Sequence, residues 1–116
     1  MVEKTSNILT KIKILARRLE QTGIRLKAIY LYGSYAEGNP NEDSDIDLAL
    51  VSPDFKLDTM SDWNRVFRIC FEVDNHIEPV LYRPSDLKKP YPLALRIKKF
   101  GRLLYSNDHP VSVSKR

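Results

Sequence analysis

At 116 residues the chain fits one domain with a core of its own, and is too short for a catalytic domain plus a separate substrate domain. Its 42% apolar and 29% charged residues are those of an ordinary globular domain, which excludes a disordered or fibrous chain. The formal charge of +4 is too small to identify a polyanionic partner, and a single cysteine, Cys70, excludes an intrachain disulfide or a cysteine-built zinc site.

The first element is an amphipathic helix over residues 4–22, with Ile8, Ile12, Leu15 and Leu19 at helical spacing and Gly23 as its stop. Residues 24–32, "IRLKAIYLY", alternate in character and are rich in β-branched and aromatic side chains, which predicts a strand ending at Gly33. A short helical turn over "SYAEG" and a polar loop, "NPNEDS", with Pro40 as a turn residue, lead to a second strand, "DIDLALV", at 45–51.

From about Met60 to Glu72 a helix places Trp63, Val66, Phe67 and Cys70 on one side, capped by Ser61 or Asp62. Cys70 there reads as an inert core thiol. Residues 76–84 form a third strand in which Pro79 implies an edge position or a bulge. A helix starts near Pro92 and closes at Gly101, "RLLY" makes a fourth short strand, and residues 106–116 read as a loosely held tail. This order of elements predicts an α/β (α+β) fold over residues 1–116, a mixed β-sheet with helices packed against it. No stretch is apolar enough to span a bilayer and the N-terminus lacks the apolar core of a secretory signal, so a cytoplasmic location is the expectation.

The second strand opens with an unusual pair. Alternate side chains of a strand share a face, so Asp45 and Asp47 point the same way from an otherwise apolar segment. Two carboxylates that close repel each other and lose hydration unless a cation lies between them. With oxygen donors and neither cysteine nor histidine in the pair, the hard ion Mg²⁺ is favoured over zinc. Because Mg²⁺ completes its shell with water and phosphates, a nucleoside triphosphate is the natural guest. Gly33 and Ser34 suit that guest: the glycine lets backbone approach closely, and the serine opens a turn whose N–H groups and hydroxyl can meet phosphate oxygens.

"GSYAEGNPNEDSDIDLAL" resembles the signature of the nucleotidyltransferase superfamily related to DNA polymerase β: an apolar residue, Gly-Ser, a spacer, then Asp-apolar-Asp-apolar, carried here by Tyr32, Gly33, Ser34, Asp45, Ile46, Asp47 and Leu48. The chain is similar to the minimal nucleotidyltransferases, many of them antitoxins paired with HEPN toxins. The resemblance implies that Gly33 and Ser34 grip the β- and γ-phosphates of ATP, and that Asp45 and Asp47 hold two Mg²⁺ ions. It also implies a third carboxylate on a later strand. Glu78 is the candidate for it, although the family often has aspartate there and Pro79 follows; Glu72 and Asp74 are weaker candidates at a helix end.

His76, Tyr32 and Tyr35 lie near the motif and read first as surface, core or rim residues. Arg83, Lys88, Lys89, Arg96, Lys98 and Lys99 read first as a solvated basic face. The function expected is transfer of AMP from ATP to a hydroxyl, a tyrosine, on a partner HEPN toxin, since no residues remain for an acceptor domain. The alternatives are a non-catalytic module that neutralises its partner by binding, and a small-molecule nucleotidyltransferase whose cleft forms between two copies.

Overall fold

The computed structural model describes residues 2–38 and 45–107, with side chains from residue 7 onward. The expected "NPNEDS" loop at 39–44, with Pro40, and the expected tail beyond residue 107 lie outside the described residues. Eight elements follow one another: α1 (Val2–Gln21), β1 (Ala28–Tyr32), β2 (Ile46–Val51), α2 (Met60–Val73), β3 (Ile77–Tyr82), α3 (Pro84–Leu87), α4 (Pro92–Phe100) and β4 (Arg102–Ser106). The four strands form one mixed sheet in the order β3-β2-β1-β4, with β1 antiparallel to both β2 and β4, and β2 parallel to β3. The predicted mixed sheet with packed helices is therefore the architecture found.

Each face of the sheet has its own core. The larger one joins Ile29, Leu31, Leu48 and Leu50 to the buried stripe of α1, Ile8, Ile12, Leu15 and Leu19, and to Val66, Ile69 and Cys70 of α2. Fully buried side chains such as Leu48 and Leu50 each contribute about 1.5–3 kcal/mol relative to exposure. On the opposite face Ala28, Ala49 and Val51 pack against Leu87 of α3 and Ala94 and Ile97 of α4. The side chains there are smaller, so α4 can lie close to the strands.

The local differences from the sequence expectation have physical causes. Strand β1 starts at Ala28 rather than residue 24, because the Arg25 N–H donates to Asp54 Oδ2 at 2.8 Å and its guanidinium holds the same carboxylate. That side-chain clamp occupies the backbone that a sheet ladder would need. Helix α2 is preceded by Thr59, not by Ser61 or Asp62; Asp62 lies inside the first turn and accepts from the Lys56 N–H at 2.7 Å. Ile69 is buried beside Val66 and Cys70, whereas Phe67, grouped with them on one side by the sequence, is 46% exposed and sits edge-on to Trp63 at 5.7 Å between ring centres. The one-turn helix α3 begins at Pro84, the last residue of the expected third strand, and covers a stretch for which the sequence predicts no element. Ser106, expected to open the tail, is the last residue of β4, and β3 with its Pro79 is an edge strand as expected.

The helices of the larger face are tied to each other as well as to the sheet. Glu72 of α2 accepts from Arg18 of α1 at 2.6 Å, and Asp74, just after α2, accepts from Lys11 of α1 and from the His76 N–H and ring. Burial works against the Asp74 carboxylate, but the bonds from Lys11 and His76 outweigh it and bring its pKa down to about 2. Its folded-state value thus lies below the ordinary carboxylate value of about 3.9. The tie is fully stabilising above the ordinary value and is lost as pH falls through about 2. Asp74→Asn is expected to lower the thermal midpoint by about 3–5 °C at about pH 6 and to have a much smaller effect near about pH 2. Circular-dichroism melts of both proteins across that range check this.

Candidate active site

The mixed sheet brings three strand ends together at one place. Strand β1 ends where the antiparallel β2 begins, and β3 runs beside β2 in the same direction. Tyr32 pairs with Asp47 across the first ladder, and Asp47 pairs with Glu78 across the second. Paired residues share a face, so Tyr32, Asp47 and Glu78 form one row on the face that also carries α4. The Ile46 N–H donates to the His76 carbonyl at 2.8 Å, which fixes the register of β2 and β3 at this end. Asp45 is exposed immediately before β2.

The chain turns sharply after β1. Gly33 has φ +74°, and a Cβ placed on it would lie 2.2 Å from Asp47 Oδ2 and 3.1 Å from its Cγ. A side chain at residue 33 is thus opposed twice, by the left-handed backbone and by the aspartate beneath it. The Glu37 N–H closes the turn on the Gly33 carbonyl at 3.0 Å. Residues 33–38 form hydrogen-bonded turn rather than regular helix, and Ser34 is half-buried within it. Tyr35 and Ala36 rest against the larger core.

Asp47 lies in the field of two other carboxylates. Its carboxyl is pushed above the ordinary value, first by burial and then by the negative charges of Asp45 and Glu78. The Tyr32 hydroxyl is pushed up to about 12 by burial and by Asp47, Tyr82 and Glu78. The two aspartates and Glu78 therefore act on one another across this corner of the sheet. Among the described residues, no three carboxylate, imidazole or thiol groups stand close enough together to hold a metal ion. Asp47 is half-buried on an inner strand, whereas Glu78 is exposed on an edge strand with a longer side chain. An all-oxygen donor set under mutual repulsion is the chemistry that a hard divalent cation relieves, so the residues fit Mg²⁺ better than zinc.

The weaker candidates for the third carboxylate are otherwise engaged: Glu72 pairs with Arg18, and Asp74 with Lys11 and His76. His76 borders a separate cleft of about 190 Å³ with Lys11, Tyr35, Ile46 and Asp74. Cys70 is buried and its thiol is pushed up to about 12 by that burial, in keeping with an inert core residue. Sequence reading left Tyr82 out; it shares a face with Tyr32 and acts on it electrostatically. Its place two rows along from Glu78 becomes visible only once the β2 and β3 register is known.

A model of the family described as "Polymerase beta, Nucleotidyltransferase" matches residues 10–110. The chain belongs to this nucleotidyltransferase family. The protein adenylyltransferase MntA of Shewanella oneidensis is 34% identical over 62 residues, which cover 53% of this chain and 44% of that protein. The match thus spans less than half of that relative's length. Three solved structures share the fold. A mutant toxin-antitoxin MntA-HpeT has a TM-score of 0.60 at 21% identity, covering 90% of this chain and 78% of that one. A toxin-antitoxin with AMP-PNP has a TM-score of 0.59 at 24% identity, with the same 90% and 78% coverage. A candidate nucleotidyltransferase from Sulfolobus solfataricus has a TM-score of 0.63 at 17% identity, covering 93% of this chain and 88% of that one.

This nucleotidyltransferase domain makes two predictions from its corner geometry. Gly33→Ala is expected to cost about 1–2 kcal/mol from its backbone conformation alone and to displace the Asp47 side chain. Urea unfolding measures the first effect, and a change in the backbone and side-chain resonances of Asp47 the second. Asp47→Asn removes one of three repelling charges. In EDTA it is expected to melt at or above the wild-type temperature, while losing whatever stabilisation Mg²⁺ with ATP confers on wild type. Parallel thermal melts with and without the ligands decide it.

Proposed function

We propose that this chain is a cytoplasmic, Mg²⁺-dependent nucleotidyltransferase that moves AMP from ATP to a tyrosine hydroxyl on a HEPN-type toxin, and so serves as its antitoxin. The observation that carries the reading is the turn at Gly33 folded directly over Asp47, with Asp45 and Glu78 within electrostatic reach. The family match and the likeness to a protein named as an adenylyltransferase support it.

In this reading Gly33 and Ser34 hold the β- and γ-phosphates. The glycine brings the phosphate-holding backbone and the carboxylate beneath it into one small volume. Asp45, Asp47 and Glu78 would hold two Mg²⁺ ions, which neutralise phosphate charge and favour ionisation of the acceptor hydroxyl. The acceptor oxygen forms a bond to the α-phosphorus, the bond to pyrophosphate breaks, and the acceptor proton is released. Asp47, anchored in a central strand, orients the triphosphate. Glu78, on the exposed edge, stands on the side open to an acceptor brought by another protein. No covalent enzyme intermediate is needed, and the buried Cys70 is not a nucleophile for one.

Glu78 also favours a second reading, in which the chain neutralises its partner by binding alone. It is exposed, and no metal-binding group of three is already gathered around it among the described residues. One experiment separates the two. The pure protein, Mg²⁺, α-labelled ATP and the product of the adjacent gene are incubated together, with wild type compared against the double variant Asp45→Asn, Asp47→Asn. Adenylyl transfer predicts label on the partner with wild type only, by a margin of at least about a hundredfold. It also predicts that the double variant fails to neutralise. Neutralisation by the unlabelled, double-variant complex would instead establish the binding module.

A further inference from the structure

The turn over Asp47 is held from both sides of the sheet. From one side Tyr35 and Ala36 lean on the larger core. From the other, Arg96 in the middle of α4 reaches across to Glu37: its Nη2 donates to both carboxylate oxygens, each at 2.7 Å. The same guanidinium stands over the Phe100 ring, 5.4 Å from its centre, one helical turn further along α4. Arg96 is thus oriented at both ends of its reach, by a ring on its own helix and by a carboxylate on the turn.

Glu37 in turn governs the backbone around Ser34. Its N–H bonds the Gly33 carbonyl at 3.0 Å, so its position sets the closure of the loop that carries Ser34. Helix α4 is a firm base for such a brace, because Ala94 and Ile97 on either side of Arg96 are fully buried against the sheet. The contact is therefore continuous: sheet, α4, Arg96, Glu37, Gly33 carbonyl, Ser34.

The magnitude decides what this brace can do. The side chains of Arg96 and Glu37 are 53% and 30% exposed, and ion pairs of that kind add little to global stability. A brace too weak to hold the domain together can still hold a six-residue turn in one shape, since a small local free energy suffices to order it. We propose that Arg96 is a positioning residue for the phosphate-holding turn, acting through Glu37 to keep Gly33 and Ser34 in their binding geometry. This rests on the reading of that turn as the triphosphate grip.

The test uses the whole chain, with Mg²⁺ and ATP as the probe. Hydrogen exchange of residues 34–38, the dissociation constant for ATP with Mg²⁺, and the thermal midpoint are measured for wild type, Arg96→Ala and Arg96→Lys. A fourth protein is the double variant Arg96→Ala, Glu37→Gln. Arg96→Ala is expected to speed exchange in the turn and to weaken ATP about fivefold, with the midpoint shifting by no more than about 2 °C. Arg96→Lys recovers part of the affinity. The double variant stays weak, because the brace is still missing. Where wild type binds ATP, three results overturn the proposal: unchanged exchange and affinity in Arg96→Ala, recovery of affinity in the double variant, or a large fall in midpoint with exchange raised throughout. Recovery would mean that an unpaired Glu37 charge had merely repelled the triphosphate. If wild type itself fails to bind ATP while Arg96→Ala still loosens the turn, the grip is wrongly assigned and the proposal falls with it; the exchange data separate that outcome from a missing brace.

Discussion

An aspartate oxygen lies 2.2 Å from where the first atom of any side chain at residue 33 would have to be. Much of this corner of the molecule follows from that contact. For Asp47 to sit so close beneath the turn, β1 and β2 must be antiparallel neighbours in register at Tyr32 and Asp47, and the chain must leave β1 with a left-handed residue. The register is secured in turn by the leucines and isoleucines of the larger core, since a slip by one residue would carry Asp47 to the α1 and α2 face and Leu48 out of it. Packing on one side of the sheet thus specifies the chemistry on the other.

The two faces divide the labour. Long aliphatic side chains fill the space under α1 and α2, where the domain gains most of its stability. The α4 face is built from alanines, valines and tyrosines, and its polar end tolerates a carboxylate under repulsion. A residue whose ionised form is disfavoured by its surroundings costs stability, and here that cost falls where the fold is least dependent on burial.

Fold and site were legible in the sequence to different depths. The α1 stripe, the alternation of β1 and the apolar run of β2 each announced themselves because burial imposes a period on side chains. The pairing of Gly33 with Asp47 was hinted at by the motif, but their contact depends on a register that no local pattern states. Boundaries failed where side chains compete with the backbone: Arg25 and Asp54 shorten β1 from a distance of 29 residues along the chain. Phe67 shares one side of α2 with Trp63, Val66 and Cys70 in the sequence pattern but lies at the margin of that stripe, where it stays exposed while Ile69 is buried. Arg96 reads from the sequence as part of a solvated basic face, and only the fold brings it to Glu37, 59 residues away.

The contrast between an inner strand and an outer one has a bearing on how such a corner could change over time. Asp47 has a strand on both flanks and the Gly33 turn against its carboxylate, so a side chain of another shape has little room there. Glu78 has a strand on one flank and open water on the other, and its neighbour Pro79 already departs from regular ladder chemistry. Evolution therefore has a fixed anvil and an adjustable hammer: the outer acid can be lengthened, shortened or moved along its strand to suit a new acceptor while the inner one stays put.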